Sequence, residues 1–399
     1  MIAVIEKGAL SGTVKAPPSK SMAHRLIISA ALSEGESRIS NVALSEDIKA
    51  TIGCMEVLGK TAIYDDGVLT VKDAEIPSGD KKLFVNESGS TLRFFIPLCL
   101  TGDEVTLYGS ERLFERPLAV YEEIFERQGI FFEKGKNYLK LKGKLEGGSY
   151  EIRGDISSQF ITGLLFALPK LSGDSEIKIT GKFESKSYIL MTLSALKAFG
   201  IDIYFDGDRV FRIKGGQCYK RCNAEVEGDW SNAAFFEALN YLESNVFVTG
   251  VDENSLQGDK ICKKYFEDIK NGKKELSLAD CPDLAPILFT VAAYLGGAEF
   301  KDTARLKIKE SDRAEVMKEE LSKFGAEILV FENSVTVKKS DLHSPTVTLS
   351  SHNDHRIAMS LAVLSTVYGG IIEDAGAVKK SMPDFYEKLA ALGAKVELK

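Results

Sequence analysis

Six times along the 399-residue chain a short polar segment opens an apolar run of about a dozen residues. The runs read SKSMAHRLIISAAL from Ser19, SGSTLRFFIPLCL from Ser88, SSQFITGLLFAL from Ser157, SNAAFFEALNYL from Ser231, PDLAPILFTVAAYL from Pro282 and NDHRIAMSLAVLS from Asn353. Their starts recur roughly every 70 residues. Each run is apolar enough to be a buried helix, and each opening is polar. The first backbone N–H groups of a helix have no partner within it and point toward negative charge. Six such mouths predict a repeated fold built around an anionic ligand.

The openings are half of the repeat. After four of them comes an amphipathic helical pattern that stops at Gly59, Gly129, Gly200 or Gly325. Alternating residues around YDDGV, EKGKN, FDGDR and FENS then mark a hairpin. The last segment, DFYEKLAALGAKVELK, repeats the helix–Gly–strand part. The unit is therefore strand, buried helix, strand, outer helix, hairpin. A solenoid repeat runs about 20–50 residues, so this period suits globular α/β units instead. Three openings precede residue 225 or so and three follow it, which predicts two lobes of three units. Residues 215–228 and 12–18 are the expected crossovers. The pattern does not say which lobe holds the first strand.

Composition narrows the function classes. Hydrophobic residues make up 44% and charged residues 27%, ordinary for a globular protein. Net charge is −7 without a long basic block, which argues against nucleic acid as the partner. No apolar run reaches the roughly 18 residues of a membrane span, and Met1–Leu10 lacks a signal-peptide pattern. Of the six cysteines only Cys218 and Cys222 lie close together, and no second pair or nearby His completes a four-ligand zinc site. A reduced, cytoplasmic protein is expected.

Arg25, Arg93 and Arg356 each fall near the start of a predicted buried helix, where the helix dipole disfavours a cation by roughly 0.3–1 kcal/mol. Three unrelated surface arginines would be the plain reading. Recurrence at matching repeat positions favours a bound anion that satisfies both mouth and guanidinium, whose planar fork suits phosphate and carboxylate. KIKESDR from Lys307 packs cations and acids together, and Asp312 with Glu315 has the look of a capping box. Arg116, in ERLFERP, simply precedes a helix start. Asp283, in CPDLAP, reads equally as a helix cap or as a functional carboxylate. SHNDH brings His352 and His355 near each other, but their spacing is not the i, i+4 of a helical metal pair, and no metal is expected. GxxxxGK[ST], GxGxxG and GxSxG are all absent, which leaves ATP, dinucleotides and serine hydrolysis without support.

Nine blocks, PSKSMAHR, ESGSTLR, ERLFERP, DISSQF, SKSYILMTL, CPDLAP, KIKESDR, NDHRIAM and KKSMPDFYEKL, occur in the order and spacing seen in one family. The chain resembles the 3-phosphoshikimate 1-carboxyvinyltransferases (5-enolpyruvylshikimate-3-phosphate synthases) over essentially its whole length. That resemblance implies an inside-out α/β barrel of two lobes, each of three βαβαββ units. It places residues 14–226 in the lobe of the shikimate-phosphate site. Residues 1–13 and 227–399 would form the lobe with the catalytic carboxylates and part of the phosphoenolpyruvate site. It implies joining of shikimate 3-phosphate and phosphoenolpyruvate with release of phosphate, in aromatic amino acid and chorismate biosynthesis, without metal or cofactor.

Carried over by motif, Lys20 resembles the lysine that touches both substrates, and Ser21 and Arg25 resemble shikimate-phosphate ligands. Gly89, Arg93 and Arg116 resemble phosphoenolpyruvate-side residues. Ser157 and Ser158 match the serines that hold the shikimate phosphate, and Gln159 the residue reaching phosphoenolpyruvate. Ser185 and Tyr188 resemble further contacts to that phosphate. Lys309, Arg313, Arg356 and Lys380 resemble the remaining cationic clamp, and Asp283 and Glu310 the catalytic carboxylates, with Lys20 assisting. Glu87, Phe94 and Arg305 depart from the family's usual residues and are expected near the phosphoenolpyruvate side. The family of UDP-N-acetylglucosamine enolpyruvyl transferases is the same-fold alternative, but it carries an SKNA-type first block and a loop cysteine. Here GSERLFERP from Gly109 has no cysteine. A non-catalytic anion-binding relative is the other alternative, disfavoured by the presence of both carboxylates. A monomer without membrane or nucleic-acid partners is expected.

Overall fold

The computed structural model describes residues 1–75, 81–273 and 275–399. All six predicted buried helices form, α1 (Lys20–Leu32), α2 (Gly89–Leu98), α3 (Ser158–Ala167), α4 (Trp230–Leu239), α5 (Ala285–Leu295) and α6 (His355–Tyr368). Side-chain caps start most of them. Ser88 Oγ accepts from Thr91 N, Asp229 from Asn232 N and Asp354 from Arg356 N. In α6, Ile357, Met359, Leu361, Val363 and Leu364 are all fully buried. Each such side chain contributes roughly 1.5–3 kcal/mol, so packing outweighs the dipole cost of seating Arg356 in the first turn.

The contacts divide the chain into two units, Met1–Ser19 with Glu227–Lys399, and Lys20–Val226. The expected boundary after residue 13 is thus displaced to Ser19. The reason is strand pairing. Ser11–Lys15 lies parallel to Asn245–Thr249 along its whole length, which ties it to the first unit.

In unit Lys20–Val226, each of three four-stranded sheets contains one parallel pair and one hairpin. Strands Lys81–Asn86 and Thr101–Gly109 are joined through α2, and Ser149–Arg153 and Ser175–Thr180 through α3. Ser37–Ser40, which follows α1, instead takes the late strand Ala224–Glu225 as its parallel partner. In the other unit Glu275–Ser277 and Ala298–Lys301 flank α5, and Leu349–Ser350 and Gly370–Glu373 flank α6. All four predicted hairpins are present. The predicted terminating glycines all have positive φ, with Gly129 itself the left-handed C-cap of the helix Ala119–Gln128.

The repeat containing α4 departs from the unit. Its sheet has only the two strands Ser11–Lys15 and Asn245–Thr249. Its outer helix, Cys262–Lys270, is followed at once by Glu275–Ser277, the first strand of the next repeat, which leaves no room for a hairpin. Among the described residues, no helix is long and apolar enough to cross a membrane.

Candidate active site

In unit Lys20–Val226 the mouths of α1, α2 and α3 carry cations and hydroxyls. Arg25 is 3% exposed, yet among the described residues its hydrogen-bond partners are neutral oxygens. Its Nε donates to Thr192 Oγ1 (2.9 Å), Nη1 to the Ser21 carbonyl (2.6 Å) and Nη2 to the Tyr188 carbonyl (3.0 Å). The guanidinium also lies over the Phe94 and Tyr188 rings, 5.6 and 5.9 Å from their centroids. Burial lowers its pKa to about 10. Ser185 starts the helix Lys186–Ala198 from a left-handed conformation, φ 55°, and makes no side-chain cap. The geometry therefore groups Ser21, Arg25 and Tyr188, with Ser185 three residues before Tyr188. Phe94, expected near the phosphoenolpyruvate residues, stands instead under Arg25, because its position on α2 turns it toward α1.

A second group surrounds the mouth of α2. Arg93 Nη1 donates to Gln159 Oε1 and Nη2 to the Pro117 carbonyl, both at 3.1 Å, and Gln159 Nε2 donates to Ser90 Oγ (3.0 Å). Tyr121 fixes this register by donating to the Arg93 carbonyl (2.7 Å). A Cβ on Gly163 of α3 would fall on those same Tyr121 and Arg93 oxygens, so the close approach of α2 and α3 requires glycine. Arg116 is buried rather than merely preceding a helix, and its Nη1 would stand 2.7 Å from a Cβ at Gly89. Ser157 caps α3 by accepting from Gln159 N (3.3 Å), and Ser158 is its buried first residue. Lys20 pairs with Asp47 at 2.9 Å. Asp47 went unnoticed in the sequence because SEDI reads as an ordinary helix start.

The other unit builds its mouths from carboxylates as well. Asp283 is no cap; the turn Pro282–Leu284 starts α5 without a side-chain bond. Its Oδ1 accepts from Arg313 Nη1 (2.8 Å) and Lys309 Nζ (3.2 Å), and its Oδ2 from Arg356 Nη2 (3.1 Å). Arg313 extends the network to Glu310 Oε2 (2.7 Å) and, through Nε, to Asp354 Oδ2 (2.9 Å). Asp354 also accepts from Ser311 Oγ (3.1 Å). Five carried-over residues, Asp283, Lys309, Glu310, Arg313 and Arg356, therefore meet in one network. Lys380 reaches its edge, donating to the Asn353 carbonyl (2.5 Å). Asp354 is the residue the sequence reading missed; in NDHRIAM it shows only as a helix cap. Arg305 belongs to this unit, buried with Nη2 on the Ala279 carbonyl (2.7 Å). The capping box is half formed, since Asp312 caps Glu315 N but the Glu315 carboxylate turns to Lys318.

The charges reinforce one another. Burial pushes Asp283 up, but Arg356, Lys309 and Arg313 outweigh it and hold the carboxyl well below its usual range. Burial lowers Lys309, with Asp283 opposing. Arg313 is raised, because Asp354, Glu310 and Asp283 overcome its burial.

Among the described residues, Glu319, Glu320 and His352 form the one group whose ligand atoms lie close enough, within 4.8 Å, to hold a metal ion. Glu320 is already engaged by Lys323 Nζ (2.8 and 2.9 Å) and Ser350 N (2.9 Å), so an ion there would have to displace an ammonium.

The profile of the EPSP synthase family (3-phosphoshikimate 1-carboxyvinyltransferase) matches residues 4–389. The 3-phosphoshikimate 1-carboxyvinyltransferase of Clostridium kluyveri is 43% identical over 418 aligned positions, covering 97% of this chain and 96% of that protein. That of Clostridium perfringens (strain ATCC 13124) is 42% identical, covering 98% of each. Among solved structures, EPSP synthase from Acinetobacter baumannii superposes with a TM-score of 0.78 at 23% identity over 100% of both chains. An enolpyruvyl transferase from Streptomyces tendae gives 0.78 at 16% identity, over 99% of this chain and 98% of that one. The two structures share the fold, and the sequence relatives and family profile carry the assignment: the chain belongs to the EPSP synthase family, the 3-phosphoshikimate 1-carboxyvinyltransferases.

Proposed function

We propose that this chain transfers the enolpyruvyl group of phosphoenolpyruvate to the 5-hydroxyl of shikimate 3-phosphate, releasing phosphate. The observation that carries the reading is the Asp283 carboxylate held among Lys309, Arg313 and Arg356, with Glu310 on the same arginine. Two carboxylates and three cations suit a reaction that moves protons between polyanions. Ser21, Arg25, Ser157, Ser158, Ser185 and Tyr188 hold the shikimate phosphate. Gly89, Arg93, Arg116 and Gln159 serve phosphoenolpyruvate, Lys20 touches both substrates, and Lys309, Arg313, Arg356 and Lys380 form the remaining cationic clamp. Six free thiols support a reducing compartment, the cytoplasm.

Asp283 takes the proton of the 5-hydroxyl as its oxygen bonds to C2 of the enol. Glu310 delivers a proton to the methylene carbon, which becomes a methyl group. The tetrahedral adduct then expels phosphate as the methyl returns a proton, restoring the double bond. A carboxylate held far below its usual pKa is a weak base. Phosphate and carboxylate groups of the substrates compete for Arg356 and Lys309, and sharing those cations raises Asp283 toward a working base. Substrate binding thereby activates the base.

The assay is inorganic phosphate release from purified protein. Release with shikimate 3-phosphate and phosphoenolpyruvate is expected. Release only when UDP-N-acetylglucosamine replaces shikimate 3-phosphate would assign the chain to the other transferase.

A further inference from the structure

The helix Arg313–Ser322 holds the mouth of α6 at two points. Arg313 and Glu320 lie seven residues apart, two helical turns, so they share one face, and both are buried. Arg313 Nε donates to Asp354 Oδ2 (2.9 Å). Glu320 takes hold of the chain just before Asp354. Its Oε2 accepts from Ser350 N (2.9 Å) and its Oε1 from His352 Nε2 (3.0 Å). Lys323 Nζ supports the same carboxylate at 2.8 and 2.9 Å. Glu320 has no part in the transfer described above, yet it is fully buried.

Between the two holds the backbone turns sharply. The Ser351 carbonyl accepts from Asp354 N (2.9 Å), and the two residues inside that turn, His352 and Asn353, are both left-handed, with φ 49° and 55°. A residue with a Cβ resists that conformation, which persists where contacts on either side enforce it. On the near side Glu320 binds Ser350 N and the His352 ring, and Ser351 Oγ donates to the Asp374 carbonyl (2.9 Å). On the far side the turn delivers three groups to the network around Asp283. The Asn353 carbonyl meets Lys380 Nζ (2.5 Å), Asp354 meets Arg313, and Arg356 Nη2 meets Asp283 Oδ2 (3.1 Å). Asp354 Oδ1 also accepts from Arg356 N (2.9 Å), so the aim of Arg356 follows from where the turn ends.

We propose that Glu320, acting through His352, is a positioning residue that holds the left-handed turn and so aims Arg356 at Asp283. This rests on the transferase reading above. Released from Glu320, the turn relaxes toward commoner backbone, and Arg356 shifts from its place on Asp283.

The test compares wild type with His352→Asn, Glu320→Gln and the double variant. Asparagine tolerates left-handed backbone as histidine does, but it is too short to reach Glu320, so the tie is lost and the backbone preference kept. Glutamine has one acceptor where glutamate has two, so it cannot accept from both Ser350 N and His352. In each single variant kcat should fall about tenfold or more, since a 1 Å misplacement can cost on the order of 100-fold. The KM for shikimate 3-phosphate should stay near the wild-type value, because Ser21 and Arg25 belong to the other unit. The double variant should be no slower than the slower single one, as for two groups making one tie. Losses that multiply, or a folded His352→Asn with wild-type kcat, overturn the proposal.

A substrate-free measurement separates it from the transferase reading. Amide hydrogen exchange, resolved to single residues, should quicken about fivefold at Asp354 and Arg356 in His352→Asn, the net worth of one hydrogen bond. Exchange that quickens at His352 alone means the turn holds without the tie and sinks the proposal whatever the assay says. If wild type releases no phosphate but those two amides open, the hold on the turn stands and the transferase reading falls. Should Glu320→Gln fail to fold, His352→Asn, whose side chain is 31% exposed, carries both measurements.

Discussion

Two buried arginines, Arg25 in one unit and Arg313 in the other, are built in opposite ways. Arg25 meets carbonyl and hydroxyl oxygens and two aromatic rings, and burial drags its pKa down. Arg313 meets Asp283, Glu310 and Asp354, which raise its pKa despite burial. Among the described residues Arg25 has no carboxylate partner, and in the proposed function an anionic ligand neutralises it. The other unit neutralises its cations internally. In the proposed function a ligand rearranges that network on binding, so the first arrangement would give affinity and the second would couple binding to chemistry.

The largest effect should follow removal of the carboxylate at the centre of the neutralised network. Asp283→Ala should lower kcat by about 100- to 10,000-fold, the span of a lost general base, while isothermal titration still detects shikimate 3-phosphate binding. Near-normal turnover would remove Asp283 from the proton transfers and leave its network structural.

Next comes stability, where the two arginines should diverge. Arg313→Met takes a buried cation away from three carboxylates, of which Asp283 keeps Lys309 and Arg356, and should cost about 3–5 kcal/mol in urea unfolding. Arg25→Met strands no carboxylate, so the free protein should lose little or even gain. Its cost should appear in binding instead, as a rise in KM for shikimate 3-phosphate of roughly 30-fold or more, about 2 kcal/mol. Equal destabilisation by the two substitutions would erase the distinction between the units.

The contrast was half legible in the sequence. Arg25, Arg93 and Arg356 stood out because a cation near a helix N-terminus is electrostatically misplaced, which one strand of sequence can reveal. What surrounds each arginine could not be read. Asp354 lies 41 residues from Arg313, and Asp283 lies 73 from Arg356. Asp283 reads equally as a cap or a functional carboxylate and Asp354 as a cap alone, and Asp354 is in fact a cap as well as an ion-pair partner. Asp47 was hidden for the same reason, since Ser45–Asp47 is ordinary helix-start chemistry. The six buried helices were readable because a dozen apolar residues after a polar opening leave little alternative. The missing hairpin after Cys262–Lys270 shows only as a shorter interval between the openings at Ser231 and Pro282. The exchanged strands Ser11–Lys15 and Ala224–Glu225 are too short to declare their partners.

The smallest predicted effect probes geometry within the unit that holds Arg25. A Cβ at Gly89 would lie 2.7 Å from Arg116 Nη1, 3.1 Å from Arg116 Cζ and 3.0 Å from Arg93 Nη1. Those atoms are the ends of flexible side chains, so Gly89→Ala should fold with a loss of less than about 1 kcal/mol, the shift being absorbed by rotamers. Both guanidinium groups must nevertheless swing away from the mouth of α2. If they bind phosphoenolpyruvate, its KM should rise by about 3- to 10-fold, the 1 kcal/mol scale of a displaced interaction, with kcat changed less than the KM. The KM for shikimate 3-phosphate should stay near the wild-type value, because Arg25 and Ser21 bond one another and the atoms nearest that Cβ belong to Arg116 and Arg93. A variant that weakens both substrates equally would mean that the two groups of this unit act as one. An unchanged phosphoenolpyruvate KM would move that substrate's contacts away from Arg93 and Arg116.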